Sequence, residues 1–396
     1  MNTRRTDYIL ALCIPLLFVV IALFRLYPFH NTLQQIVNDS GNDWSKYAAN
    51  ALDIKHNGIL LPAVDGAYEK PASFFYSYFL ALCFYLFGDN NLPVYILQNL
   101  MLGLSIIFVW LTFRERMSKP VSYGFLFALV VFGITDVSMY YTFRFLGENL
   151  ALFALSVFFL LFLNGIEKNK MPELFASAVF LGMAVLTRPN IFLFAVLLII
   201  LLVVHIIKTQ KVKPFAIFIS VLVITSSFLA IRNYFICHCI QQMPSQGMLF
   251  NMIAFHPIPA SVDISSANNY YAAYVQYLLQ EPGMFITHYL KKIAFCFGFM
   301  NAVVPSYHWF PHWTLMWLGY FTYLFFLFRN KIKTTLHEKA THIFILTYFA
   351  SLVLVGQIEN YGFRMLIPGN FFVLAFAFLA FDKLLPLLKK KSVLSP

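Results

Sequence analysis

Apolar runs of nearly constant length, separated by short polar links, dominate this chain. A membrane helix needs about 20 mostly apolar residues. Ten runs approach that length: 7–27, 93–113, 120–137, 147–164, 172–187, 190–208, 214–231, 311–328, 340–357 and 366–383. A further run, 72–87, is shorter and rich in aromatics (Phe74, Phe75, Tyr76, Tyr78, Tyr85), which suits a helix lying at the membrane interface. Two polar stretches are long, 30–92 and 232–310. The second contains turn-rich segments, MPSQGMLFN and HPIPASVDISSANN, and then two amphipathic runs, 270–279 and 282–299. In the latter, Lys291 and Lys292 stand against Phe285, Ile293, Phe295 and Phe297, again the pattern of an interfacial helix. The pattern predicts an all-α polytopic bundle of about ten transmembrane helices, with interfacial helices in two long outward loops. No internal repeat and no second soluble domain interrupts it, so residues 1–396 are expected to form one membrane domain.

Composition supports this class. The chain is 60% hydrophobic and 11% charged with a mean hydropathy of +0.72, outside the range of soluble globular domains. A net charge of +11 suggests nucleic acid only in a soluble protein. Here the excess sits in short links between apolar runs, where it carries orientation. The clusters Arg4/Arg5, Arg114/Arg116/Lys119, Lys168/Lys170, Lys208/Lys211/Lys213, Arg329/Lys331/Lys333/Lys339 and Lys389/Lys390/Lys391 fall on one side only if 72–87 does not cross. Both termini then face the cytoplasm, both long loops face outward, and the expected location is the plasma (inner) membrane. The first run ends in ALFRLYPF without a small-x-small cleavage site, so it is expected to stay as an anchor. Five scattered cysteines give no disulfide framework. Cys237-His238-Cys239 supplies a ligand cluster without a partner pair, so neither metal nor cofactor is expected.

Charge that is almost missing from the middle of the spans gathers at their outer ends. Asp39, Asp43, Asp53, Asp65, Glu69 and Lys70 lie in the first long loop. Arg144 and Glu148 open the fourth span, Arg188 lies between the fifth and sixth, Arg232 ends the seventh, and Glu359 and Arg364 lie between the last two. Each has a plain reading beside a chemical one. Asp43 heads DWSKYAANAL, where Trp44, Tyr47, Ala48, Ala51 and Leu52 recur at helical spacing, so it fits an N-cap. It fits equally an acid that takes the proton from an acceptor hydroxyl attacking an anomeric carbon. Lys70 fits a snorkelling lysine or a point charge for a phosphate. Arg144 and Glu148 have the i, i+4 spacing of a helix-surface pair, and Arg188, Arg232 and Arg364 fit headgroup anchors. Arg188-Pro189 predicts a turn. The aromatics around His308, Trp309, His312 and Trp313 fit an interfacial belt.

Taken in order, Asn42-Asp43-Trp44 leading into YAANAL, Glu69-Lys70-Pro71-Ala72, Leu86-Phe87-Gly88, Arg144 with Glu148, Leu186-Thr187-Arg188-Pro189, Ile231-Arg232-Asn233-Tyr234, EPGMFITHYLKK, and Glu359-Asn360-Tyr361 before Pro368 form a pattern spread over most of the length. It resembles the GT-C superfamily of integral-membrane glycosyltransferases, specifically the bacterial relatives of protein O-mannosyltransferases and of the lipid A aminoarabinose transferase. The resemblance implies an inverting transferase using a polyprenyl-phosphate-linked sugar, with the site on the outer (periplasmic) face. The acceptor would be an envelope glycan, a lipid or a protein. Asp43 would be the base or acceptor-orienting acid. Lys70, Arg144, Arg188, Arg232 and Arg364 would bind the donor phosphate, with Asp65, Tyr68, Glu69 and Glu359 lining the cavity. Two departures stand out: Trp44 occupies the place of a second acid, and Pro71-Ala72 that of a Pro-Pro step. Asp65, Glu69 or Glu148 could then supply the second acid. A transporter or flippase of a lipid-linked or small substrate is the alternative. It would show ionisable residues or broken helices near the bilayer midplane, often in paired halves, and neither stands out here. A non-catalytic membrane scaffold is a third class.

Overall fold

The computed structural model describes residues 3–25, 32–38, 43–58, 74–134, 141–210, 212–237, 270–297, 310–329, 334–355 and 358–392. All regular structure among them is helical. The first part comprises α1 (Thr3–Arg25), α2 (Leu33–Asn38), α3 (Asp43–Asn57), α4 (Phe74–Phe87), α5 (Asn91–Phe113) and α6 (Lys119–Ile134). The middle comprises α7 (Glu148–Glu167), α8 (Met171–Thr187), α9 (Phe192–Thr209), α10 (Val212–Ser226) and α11 (Phe228–Cys237). Then come α12 (Tyr270–Gln280), α13 (Pro282–Cys296), α14 (Phe310–Arg329), α15 (Leu336–Val355) and α16 (Ile358–Ser392).

Among the described residues five segments are long and apolar enough to cross a membrane: Thr6–Arg25, Asn91–Arg116, Glu148–Glu167, Pro189–Thr209 and Leu366–Leu385. Phe24, Phe127, Ile207 and Phe328 point outward from the bundle and are exposed. Such a surface is a liability in water and ordinary in lipid. At 14 residues, about 21 Å of helix, α4 is short for a crossing. The run expected at 214–231 is interrupted by a turn at Ser227 between α10 and α11.

The closest approaches between helices use small residues, because in lipid packing replaces the hydrophobic drive. A Cβ on Gly103 of α5 would stand 2.7 Å from Pro15 Cα of α1, and one on Gly319 of α14 would stand 2.6 Å from Ala377 Cβ of α16. In the first pair the obstacle is backbone, which cannot rotate away. Gly103→Val is therefore expected to lower stability by about 1–3 kcal/mol, as overpacked cores do, seen as a lower unfolding temperature of the purified protein in detergent.

Charges tie one end of the bundle together. Asp7 of α1 accepts from Arg114 at 2.6 Å, and the neighbouring Arg116 reaches Glu338 of α15 at 3.1 Å and Glu167 of α7 at 3.5 Å. Ser118 N donates to Asp382 of α16 at 3.1 Å. Since Asp7 meets the far end of α5, α1 and α5 run antiparallel, and the chain between them leaves and re-enters the bundle at the same, opposite end. At that opposite end a second, smaller apolar core gathers Ala22, Tyr47, Tyr76, Leu80, Tyr95, Phe143, Phe145, Leu150, Leu186 and Leu229. It holds α3 and α4 against α5, the start of α7, the end of α8 and the start of α11.

Candidate active site

The site grows out of this second core. α3 begins at Asp43, and the ring of the next residue, Trp44, lies under the guanidinium of Arg144, whose Cζ is 4.5 Å from the ring centroid. A cation–π contact of this kind suits Arg, whose head is planar and weakly hydrated. Three residues on, Tyr47 packs its ring edgewise on Tyr76 of α4, with centroids 5.6 Å apart.

Arg144 does not sit on a helix. It follows a 3-10 turn, Tyr141–Phe143, in the link that enters α7 at Glu148. The expected i, i+4 surface pair with Glu148 therefore does not form on one helix. The helical spacing is present in the sequence, but the backbone turns between the two residues. Glu148 pairs instead with Arg188, and both side chains are well buried, 3% and 14% exposed. The two helix ends lie close together: a Cβ on Gly147 would lie 3.0 Å from Thr187 Cγ2 and 3.6 Å from Tyr76 Cβ, so the start of α7 packs directly on the end of α8. Each partner also complements its own helix. Glu148 stands in the first turn of α7, where the dipole favours an anion, and Arg188 caps the C-terminus of α8, where it favours a cation.

The predicted turn at Arg188-Pro189 is present. Arg188 is extended (φ −138°, ψ 100°) and Pro189–Ile191 form a 3-10 turn. Ser351 Oγ of α15 donates to the Asn190 carbonyl at 3.0 Å, anchoring that turn to a distant helix. Arg232 on α11 lies beside the Tyr78 hydroxyl of α4, and Phe228 of α11 packs edgewise on Tyr78 with centroids 5.5 Å apart. Burial raises the Tyr78 phenol above its ordinary value, and the Arg232 charge pulls it back.

Arg144, Glu148, Arg188 and Arg232 thus meet the α3–α4 layer at one end of the bundle. Asp43 is placed there by its helix. Glu359 and Arg364 lie on the first turns of α16. Asp65, Tyr68, Glu69 and Lys70 lie outside the described residues, as do Asp39, His238, Cys239, His308 and Trp309. Of the lysines expected in the second loop, Lys291 is exposed, whereas Lys292 is buried and lies 5.2 Å from the Tyr289 ring centroid.

Sequence reasoning missed Trp44 as a support for arginine, and missed the polar pair Gln98-Asn99 on α5. Gln98 Nε2 donates to the carbonyls of Thr142 and Arg144, each at 3.1 Å. Asn99 Oδ1 accepts from Thr142 Oγ1 at 3.0 Å. The available signal was two adjacent amides inside an apolar run, an expensive placement unless they are paired.

Chemically, this end offers Arg144 over Trp44 of α3, Arg232 beside α4, Arg188 held by a buried carboxylate, and a helix opening on an acid. That suits a reaction in which an anionic leaving group is stabilised while a neutral hydroxyl is deprotonated. No curated protein matches the chain. Residues 69–231, the segment that carries Arg144, Glu148 and Arg188, match the family described as dolichyl-phosphate-mannose-protein mannosyltransferase, and on that segment the chain's resemblance to the GT-C superfamily of membrane glycosyltransferases is shown.

Proposed function

We propose that this protein is a membrane glycosyltransferase that moves a sugar from a polyprenyl-phosphate-linked donor to an envelope glycan, lipid or protein acceptor on the outer face of the inner membrane. The observation that carries the reading is a coincidence in space. The segment matching a mannosyltransferase family supplies Arg144 and the Glu148–Arg188 pair, and Arg144 stacks on the residue next to Asp43, which lies outside that segment. In this reading the ten apolar runs cross the membrane as one domain with both termini cytoplasmic, and α4, α12 and α13 lie at the outer interface.

Asp43 accepts the proton of the acceptor hydroxyl as its oxygen attacks the anomeric carbon. The bond from that carbon to the phosphate oxygen breaks, and its electron pair leaves on polyprenyl phosphate. Lys70, Arg144, Arg188, Arg232 and Arg364 stabilise the charge that gathers on that phosphate. A preorganised cation in a site of low dielectric acts far more strongly than one in water. Glu148 contributes by holding Arg188. Asp65, Tyr68, Glu69 and Glu359 line the cavity.

The test is direct. Purified full-length protein, supplied with polyprenyl-phosphate mannose and a mixture of envelope acceptors, is expected to release polyprenyl phosphate. Polyprenyl-phosphate donors carrying other sugars extend the assay. Release with none of them overturns the reading.

A further inference from the structure

We propose that Gln98, with Tyr76 behind it, is a positioning residue that sets Arg144 against Trp44 and so holds the donor-binding arginine in register with the helix that carries Asp43. The inference rests on the proposed function for its chemical meaning, although its geometry stands apart from it.

Gln98 is fully buried on α5. Its amide nitrogen has two hydrogens, and both are used, one on the Thr142 carbonyl and one on the Arg144 carbonyl. Its amide oxygen accepts from Tyr76 Oη of α4 at 3.0 Å. Asn99 adds a second clamp, accepting from Thr142 Oγ1 at 3.0 Å while donating to Tyr95 O at 2.9 Å. The link 141–147 has only a 3-10 turn and a short backbone bond from Leu146 N to Arg144 O of its own, and these side chains add to them. They fix the 142–143 and 144–145 peptide planes, which flank the Phe143-Arg144 step.

The contacts close into a ring. Trp44 carries Arg144, the Arg144 carbonyl is held by Gln98, Gln98 is oriented by Tyr76, and Tyr76 packs on Tyr47, one helical turn from Trp44. A closed ring transmits displacement: if Gln98 lets go, Arg144 and α3 lose their common reference. Without Gln98 the Thr142 and Arg144 carbonyls lose its two N–H donors; Arg144 O still accepts from Leu146 N at 2.9 Å, but that bond lies within the link and does not tie it to α5. A misplacement of about 1 Å at a charge-stabilising group costs on the order of 10²-fold in rate.

The experiment is a pair of double-mutant cycles on the full-length protein in detergent. In the first, kcat/KM for the polyprenyl-phosphate donor is measured for wild type, Gln98→Leu, Arg144→Ala and the double variant. Tyr76→Phe serves as a milder substitute should Gln98→Leu fold poorly. Gln98→Leu is expected to lower kcat/KM by on the order of 10²-fold in wild type and to add nothing once Arg144 is Ala. In the second, the emission of Trp44, isolated by subtracting the Trp44→Phe form of each variant, is expected to shift on Gln98→Leu as it does on Arg144→Ala, again without additivity. Independent, additive effects overturn the inference, as does a loss confined to unfolding temperature with kcat/KM and Trp44 emission unchanged. If wild type releases no polyprenyl phosphate, the proposed function falls, and the fluorescence cycle alone decides the role of Gln98.

Discussion

Asp43→Asn is expected to lower turnover of the lipid-linked donor by roughly 10²- to 10⁴-fold, the usual contribution of a general base, while leaving the unfolding temperature where it was. The substitution separates the two roles that Asp43 fits. Asn and Asp are both favoured where helices start, and Asp43 is the first helical residue of α3, so a purely structural role at the helix start survives the change. A base does not survive it, because an amide has no lone pair available to take the proton of an attacking hydroxyl at neutral pH. Asp43→Ala completes the comparison. It removes the polar side chain at the helix start as well, and is expected to match Asn in turnover and fall below it in stability. Turnover of the Asn variant within twofold of wild type, measured as release of polyprenyl phosphate, leaves Asp43 a cap and removes it from the mechanism.

Hydropathy exposes the helices of this chain because lipid imposes a length: nine of the ten apolar runs overlap one described α-helix and the run 214–231 overlaps two, while five segments among the described residues are long and apolar enough to cross. It is blind to what bends them. The run 214–231 is uniformly apolar apart from its hydroxyls, yet it breaks at Ser227. Ser226 Oγ bonds back to the Leu222 carbonyl at 2.6 Å and Thr225 Oγ1 to that of Val221, a habit that tilts helices without altering their hydropathy. The candidate site was legible as a set of charges at the ends of apolar runs, because charge is excluded from the apolar middle. Its pairings were not. Spacing within the chain suggested Arg144 with Glu148, but Arg188 lies 40 residues from Glu148 and Gln98 lies 46 from Arg144. Contacts at that separation depend on how α5, α7 and α8 pack, which local pattern does not encode. Gly147 shows the difference. In sequence it precedes an acid, and in space it sits where two helix ends pack closely.

Arg188→Ala is expected to destabilise the protein by about 3–5 kcal/mol, because it takes the Arg188 charge away from the buried Glu148 carboxylate, 3% exposed. Glu148→Gln is expected to cost less, since Arg188 keeps more access to water and an amide oxygen can still accept one of its N–H groups. The informative variant is the apolar replacement of both, Glu148→Leu with Arg188→Met. Buried ion pairs exchanged for well-packed apolar groups of similar volume are often neutral in stability, so the unfolding temperature is expected to return most of the way to wild type. Turnover is not expected to return with it. A pair present only to close α7 on α8 is fully replaced by packing, whereas a pair that holds a cation at the donor phosphate is replaced by nothing. Recovery of both stability and donor turnover in the double variant assigns the pair to architecture and removes Arg188 from the phosphate site. Recovery of stability alone places a charge requirement on the reaction itself, at the one position where the end of α8 and the start of α7 present opposite dipoles to the same point.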